Sequence, residues 1–171
     1  MSVTTSGTTS AGLSWNSVDT NQSQARITDI GSVSIEYNHT AGSGTGTTNA
    51  FYHQVATLPS GGVDSFDLFS LNRTAFNANL NVNFSGGFIH DFIIVNNNGS
   101  GSIYLRATGV AGFTDILAGN TGIEIKPLSS YHYNNLLTGF EVGTGQRYLY
   151  INDGGLGNSY GLAWIGRTGV V

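Results

Sequence analysis

From Arg26 onward, apolar and polar residues alternate with a period of two, the signature of strands with one buried face. Ile27, Val33, Ile35 and Tyr37 fall on one parity, and Thr28, Ser32, Ser34 and Glu36 on the other, which predicts a half-buried strand. Residues 40–49 (TAGSGTGTTN) offer nothing apolar to pack and read as a loop. The β pattern resumes over residues 51–58 and stops at the turn Pro59-Ser60-Gly61-Gly62. In residues 64–71 Phe66 and Leu68 share one parity and Phe69 and Leu71 the other, so this strand is expected to end in a bulge or irregular turn. Helical periodicity is absent over any useful length.

Leu80, Val82 and Phe84 alternate with asparagine, and a Gly86-Gly87 turn leads into residues 88–95 (FIHDFIIV). There Phe88, Phe92 and Ile94 share one parity and Ile89, Ile93 and Val95 the other, as in a central strand covered on both faces. Residues 96–101 (NNNGSG) form a hairpin loop returning through Ile103-Tyr104-Leu105. Four more strands are expected at 113–117, 123–126, 148–151 and 160–165, with shorter β segments at 131–137 and 140–142. Many short strands at this spacing imply an all-β, antiparallel β-sandwich or barrel, with a jelly-roll-like sandwich the leading version. The expected core is Ile93, Val95, Ile103, Leu105, Ile123, Ile125, Leu149, Ile151 and Leu162. No exact internal repeat argues for a propeller or a β-helix.

Composition narrows the function more than the fold. Of 171 residues only 9% are charged while 25 are glycine, and such a surface costs little to desolvate against another subunit. The chain is long enough for one domain and one core. Its net charge of -4, with six scattered basic residues, does not suit the tracking of phosphates, so no nucleic-acid partner is expected. No run approaches the length of a membrane helix, and no membrane partner is expected. The chain has no cysteine, hence no disulfide framework and no thiolate metal site. Residues 1–24 lack the basic start and apolar stretch of a secretory signal, which predicts synthesis in a cytoplasm.

The expected organisation is a flexible N-terminal arm over residues 1–25, followed by a single sandwich domain over residues 26–171. The arm is too polar to supply a core strand, but Leu13, Trp15 and Val18 are spaced so that a partner surface could bury them.

No catalytic residue, cofactor or metal site is expected. His39, His53, His90 and His132 show no metal-ligand spacing, and each reads as a structural or surface residue. His90-Asp91, the polar pair in an apolar strand, reads as a buried hydrogen bond or a subunit contact and not as a dyad, because adjacent strand residues face opposite ways. There is no nucleophile elbow and no phosphate loop. Residues 152–158 (NDGGLGN) hint at a calcium loop, but with one carboxylate a hairpin turn is the favoured reading. Carboxylates paired at a spacing useful for acid–base work are missing, so an enzyme ranks last. The aromatic residues are more informative. Tyr104, Tyr148 and Tyr150 sit opposite the aliphatic parity of their strands, beside Arg106 and Asn152, and Tyr131 and Tyr133 flank His132. Such groups pack a second sheet face, meet another subunit or stack on sugars.

From residue 65 to residue 166 the order of elements resembles small virion proteins of tailed bacteriophages, in particular capsid decoration, or cement, proteins. The segments carrying the resemblance are residues 66–71 (FDLFSL), Phe84 with residues 89–96 (IHDFIIVN), residues 103–105, 123–127 (IEIKP), 149–152 (LYIN) and 163–166 (AWIG). The resemblance implies a non-enzymatic, jelly-roll-like virion subunit, made in the host cytoplasm and stabilising a bacteriophage head shell. Its partners would be the major capsid protein or another virion protein, and it would form a homo-oligomer, a trimer by analogy. Relatives of this kind often carry glycine after the proline that ends one strand, where this chain has Leu128-Ser129. The competing reading is a carbohydrate-binding, lectin-like or receptor-binding β-sandwich that uses the tyrosine face.

Overall fold

The period-two pattern becomes fourteen strands in a computed structural model that describes residues 7–19, 27–42, 47–75, 78–107, 109, 111–117, 122–135 and 137–168. They are β1 (Gly7–Asp19), β2 (Ile27–Ala41), β3 (Thr47–Thr48), β4 (Ala50–Thr57), β5 (Val63–Asp67), β6 (Leu71–Ala75) and β7 (Ala78–Val82). They continue with β8 (Phe88–Asn96), β9 (Ile103–Arg106), β10 (Gly122–Ile125), β11 (Ser130–Asn134), β12 (Phe140–Glu141), β13 (Tyr148–Asp153) and β14 (Ser159–Arg167).

Eight of these build two antiparallel sheets, ordered β11-β8-β14-β4 and β10-β9-β13-β5, with β12 added beside β8. Numbered among themselves in chain order, the eight run 6-3-8-1 in one sheet and 5-4-7-2 in the other. That interleaving, in which every successive pair but the fourth and fifth crosses from sheet to sheet, is the strand order of a jelly roll. No helix of the described residues is long and apolar enough to cross a membrane.

The core lies between the sheets and is centred on Trp164 of β14, which is fully buried. Its ring stacks on Tyr52 at 5.3 Å and on Phe92 at 5.9 Å, and meets Phe66 edge-on at 5.4 Å, joining β4, β8 and β5 through one side chain. Ile103, Leu105, Ile125, Leu149, Ile151 and Leu162 are buried here as the parity predicts.

Ile93 and Val95 are not in this core. Gly166 pairs with Ile89 while Ile165 pairs with Asp91, so His90 is an extra residue and β8 carries a β-bulge. The bulge reverses the parity, so that Ile89, Phe92 and Ile94 all turn inward and Ile93 and Val95 lie half-buried on the outside. Gly166 permits the bulge, since a Cβ there would stand 2.2 Å from the Phe88 carbonyl oxygen. Ile123 is also only partly buried, against the core's edge.

One further expectation is corrected. Over residues 113–117 the chain forms a short 3-10 turn at Asp115–Leu117, because the Gln146 side-chain oxygen accepts from the Thr114 and Asp115 N–H groups in place of a neighbouring strand. At the N-terminus, Gly7–Asp19 forms a strand outside the two sandwich sheets. It pairs antiparallel with β2 from Gly7–His39 to Asp19–Ile27, and β2 pairs in parallel with β3. Among the described pairings, β2 therefore belongs to a ribbon with β1 and not to either sandwich sheet. The side chains of Leu13, Trp15 and Val18 lie outside the described residues.

The turn between β10 and β11 holds a strained residue. Leu128 holds a left-handed φ of 52° and is 75% exposed, so its side chain gains little packing for a conformation costing roughly 1–2 kcal/mol. Leu128→Gly is expected to raise stability by about 0.5–1 kcal/mol, the relief being partly offset by glycine's greater unfolded-state entropy. A urea midpoint that moves up at unchanged slope is the measurement that checks it.

Candidate functional site

The outer face of the four-stranded sheet gathers aromatic and polar side chains from three strands. Alternation that buries Ile103, Leu105, Leu149 and Ile151 turns Tyr104, Arg106, Tyr148, Tyr150 and Asn152 outward. The register sets Tyr150 opposite Arg106 and Asn152 opposite Tyr104, which gives a square with aromatic rings on one diagonal and polar groups on the other. Glu124 of β10 flanks Tyr104 on its far side and accepts from the Ser102 hydroxyl at 2.6 Å.

Two arginines behave differently on this face. Arg147 is engaged by Asp67 through Nε to Oδ1 at 2.7 Å and Nη2 to Oδ2 at 2.6 Å, and it also lies over the Phe69 and Tyr148 rings. That fork holds the Asp67 carboxyl below the usual carboxylate range. Arg106 is exposed, lies 5.5 Å from the Tyr104 ring centroid and makes no ion pair among the described residues. Diagonal to it, Asn152 Oδ1 is shut away from solvent with no hydrogen-bond partner.

The structure does not bring Tyr131 and Tyr133 to this face. Both stand on β11 in the other sheet and lean against the core's edge. Tyr131 donates its hydroxyl to the Ile116 carbonyl at 2.6 Å, and burial pushes its phenol up to about 12. Tyr133 stacks on Phe140 with centroids 5.0 Å apart. Parity could not separate these two from the other three, because the sheet to which β11 belongs is set by long-range pairing.

The outer face of the five-stranded sheet has the opposite character. Its cross-strand rows read Val95–Gly161–Val55, Ile93–Ala163–His53 and Asp91–Ile165–Phe51 across β8, β14 and β4. All but Asp91 are partly or well exposed, and Val55 reaches 77%. Asp91 is buried: His132 Nε2 lies 2.7 Å from Oδ1, and His39 Nε2, from the end of β2, lies 3.4 Å from Oδ2. The neighbouring His90 turns its Nδ1 toward the Asn135 carbonyl at 3.3 Å, and His53 stacks on Phe51. The histidines thus have structural contacts, and Asp91 works through residues far from it in sequence.

Residues 152–158 are a turn built on its own carboxylate. Asp153 Oδ2 accepts from the N–H groups of Gly61, Gly155 and Gly157, and Oδ1 accepts from the Asn158 amide. Burial acts to raise this carboxyl, but the four donors outweigh it and hold it below the ordinary value of 3.8. The oxygens a cation would need are taken up by protein donors.

One polar cluster has no signal in the sequence. At the sandwich edge Tyr160 donates to Asp64, Gln54 Nε2 reaches the Tyr160 oxygen at 3.0 Å, and Tyr52 donates to Gln54 at 2.6 Å. Burial and the hydrogen bond to Asp64 push the Tyr160 phenol far up. Every member has a protein partner, so the cluster closes the edge between β4 and β5.

No family model and no curated protein matches the chain. Among solved structures, a crystal structure of PirA matches over 67% of this chain and 93% of its own, at 15% identity and a TM-score of 0.36. A likeness at that level carries no argument about function.

Proposed function

We propose that this chain is a structural virion subunit, specifically a capsid decoration protein that binds and stabilises a bacteriophage head shell without turnover. The observation that carries the reading is the outer face of the five-stranded sheet, where Phe51, Val55, Ile93, Val95, Ala163 and Ile165 share an apolar, glycine-flattened surface. Solvated sheet faces ordinarily carry polar residues, so these half-buried apolar rows, with Val55 exposed, are a surface suited to a partner. The jelly roll supports the reading by fold-level analogy, being common to viral capsid proteins and lectins. The partner is the major capsid protein or another virion protein, and copies of the chain associate with one another, in threes by analogy.

Val55→Glu tests this, because Val55 is already 77% exposed and the change leaves the core intact. Native mass measurement of the wild type is expected to show an oligomer, and sedimentation with purified shells a bound fraction. In V55E the contact should weaken by roughly tenfold or more, as burying one such side chain is worth about 1.5–3 kcal/mol. A wild-type monomer that adds no mass to shells sinks the proposal.

A further inference from the structure

The edge strand β4 pairs with β14 along one flank and ends its sheet on the other. The ladder fixes which of its backbone groups point outward. Leu58 N–H donates to the Asn158 carbonyl at 2.8 Å in the same register as Thr57–Ser159, so the even-numbered residues of β4 bond to β14. The N–H and C=O groups of His53, Val55 and Thr57 therefore point away from β14. All three residues are exposed, and these groups have no backbone partner among the described residues. Sheet edges are ordinarily blunted by charge, proline or cover. Here β5 carries Asp64 and Asp67, β10 carries Glu124, and the 3-10 turn packs against β11. β4 (AFYHQVAT) has no charged residue and no proline. Because β6 and β7 also pack against β4, the open stretch is residues 53–57, where every outward residue is exposed.

We propose that this edge pairs with β4 of a second copy of the chain, antiparallel about a two-fold axis at Val55. In that register Val55 stands opposite Val55 and His53 opposite Thr57, so every outward N–H of the three residues donates to a carbonyl across the axis. The strand suits its own copy. An uncharged edge meets itself without like-charge repulsion, and the β-branched residue at the centre faces its equal. The row Val95–Gly161–Val55 then runs on through the axis into the same row of the second copy, which joins two apolar faces into one. A strand of another protein would satisfy the same backbone groups, but the second copy brings an edge of matching length, the same lack of charge and the apolar row itself. The assignment concerns the chain alone and rests on no shell.

Sedimentation equilibrium of the full chain from about 10 µM to 1 mM tests it. So short a pairing is smaller than a standard interface, and a monomer–dimer equilibrium with a dissociation constant on the order of 0.1 mM is expected. Hydrogen exchange at the His53, Val55 and Thr57 amides should slow as the dimer fills. Two double variants at exposed positions read the register. H53K/T57K sets lysine opposite lysine on both sides of the axis and should weaken the dimer by roughly tenfold, whereas H53K/T57E sets opposite charges there and should restore it in a salt-sensitive way. Both should melt close to wild type, since neither touches the core. A monomer at 1 mM, trimers without dimers, a dimer indifferent to H53K/T57K, or no recovery in H53K/T57E would each overturn the assignment. A monomer that still sediments with shells would do so and leave the decoration role standing, so the two fail separately.

Discussion

Trp164→Ala is expected to remove about 3–5 kcal/mol of stability, the range for truncating a large buried aromatic residue. Domains of this kind are stable by only about 5–15 kcal/mol in total, so the variant should sit near the folding threshold. The geometry places the loss at the centre of the fold. Trp164 touches Tyr52 and Phe92 within its own sheet and Phe66 in the facing one, so its removal leaves a cavity between the two layers. Trp164→Phe should cost far less, because a ring still fills most of the stack and the indole N–H, buried with no partner, disappears. Urea unfolding at neutral pH separates the two: a small difference between A and F at this position would mean that the aromatic stack is not the keystone described above.

The features legible in the sequence are those that a single strand encodes by itself. Ile103, Leu105, Leu149 and Ile151 declare their side of the sheet by alternation, and the same alternation turns Tyr104, Tyr148 and Tyr150 outward. Features that need a partner strand were hidden. The bulge at His90 depends on Gly166 opposite it, and without that pairing Ile93 and Val95 read as core. β1 is polar outside a short alternation of Ala11, Leu13 and Trp15, and its pairing with β2 is carried by backbone hydrogen bonds that any residue but proline can make. The contact of Asp91 with His39 and His132 joins three strands, and nothing in the spacing of 39, 91 and 132 announces it. The orphaned Asn152 oxygen likewise shows only once Tyr104 is set opposite it.

The second large effect is expected at Asp153, and pH gives it a distinctive form. Its carboxylate fastens the turn before β5, through Gly61, to the turn between β13 and β14, through Gly155, Gly157 and Asn158. Asn158 is fully buried and accepts in turn from the Asn98 amide at 2.7 Å, so the carboxylate orders a network reaching the loop after β8. Asp153→Asn keeps one oxygen for the backbone donors but turns an NH2 group toward the Asn158 NH2, two donors facing each other. The expected cost at neutral pH is about 2–4 kcal/mol, in line with loss of charge-assisted hydrogen bonds in a closed network. Because the folded chain holds this carboxyl below its ordinary value of 3.8, the stabilisation is fully present above that value and is lost as pH falls through the lowered folded-state value. The gap in urea midpoint between wild type and D153N should therefore be constant from pH 7 down to about 5 and close progressively under stronger acid. A gap that persists unchanged to pH 2 would show that the variant's loss comes from the misplaced amide alone and not from the missing charge.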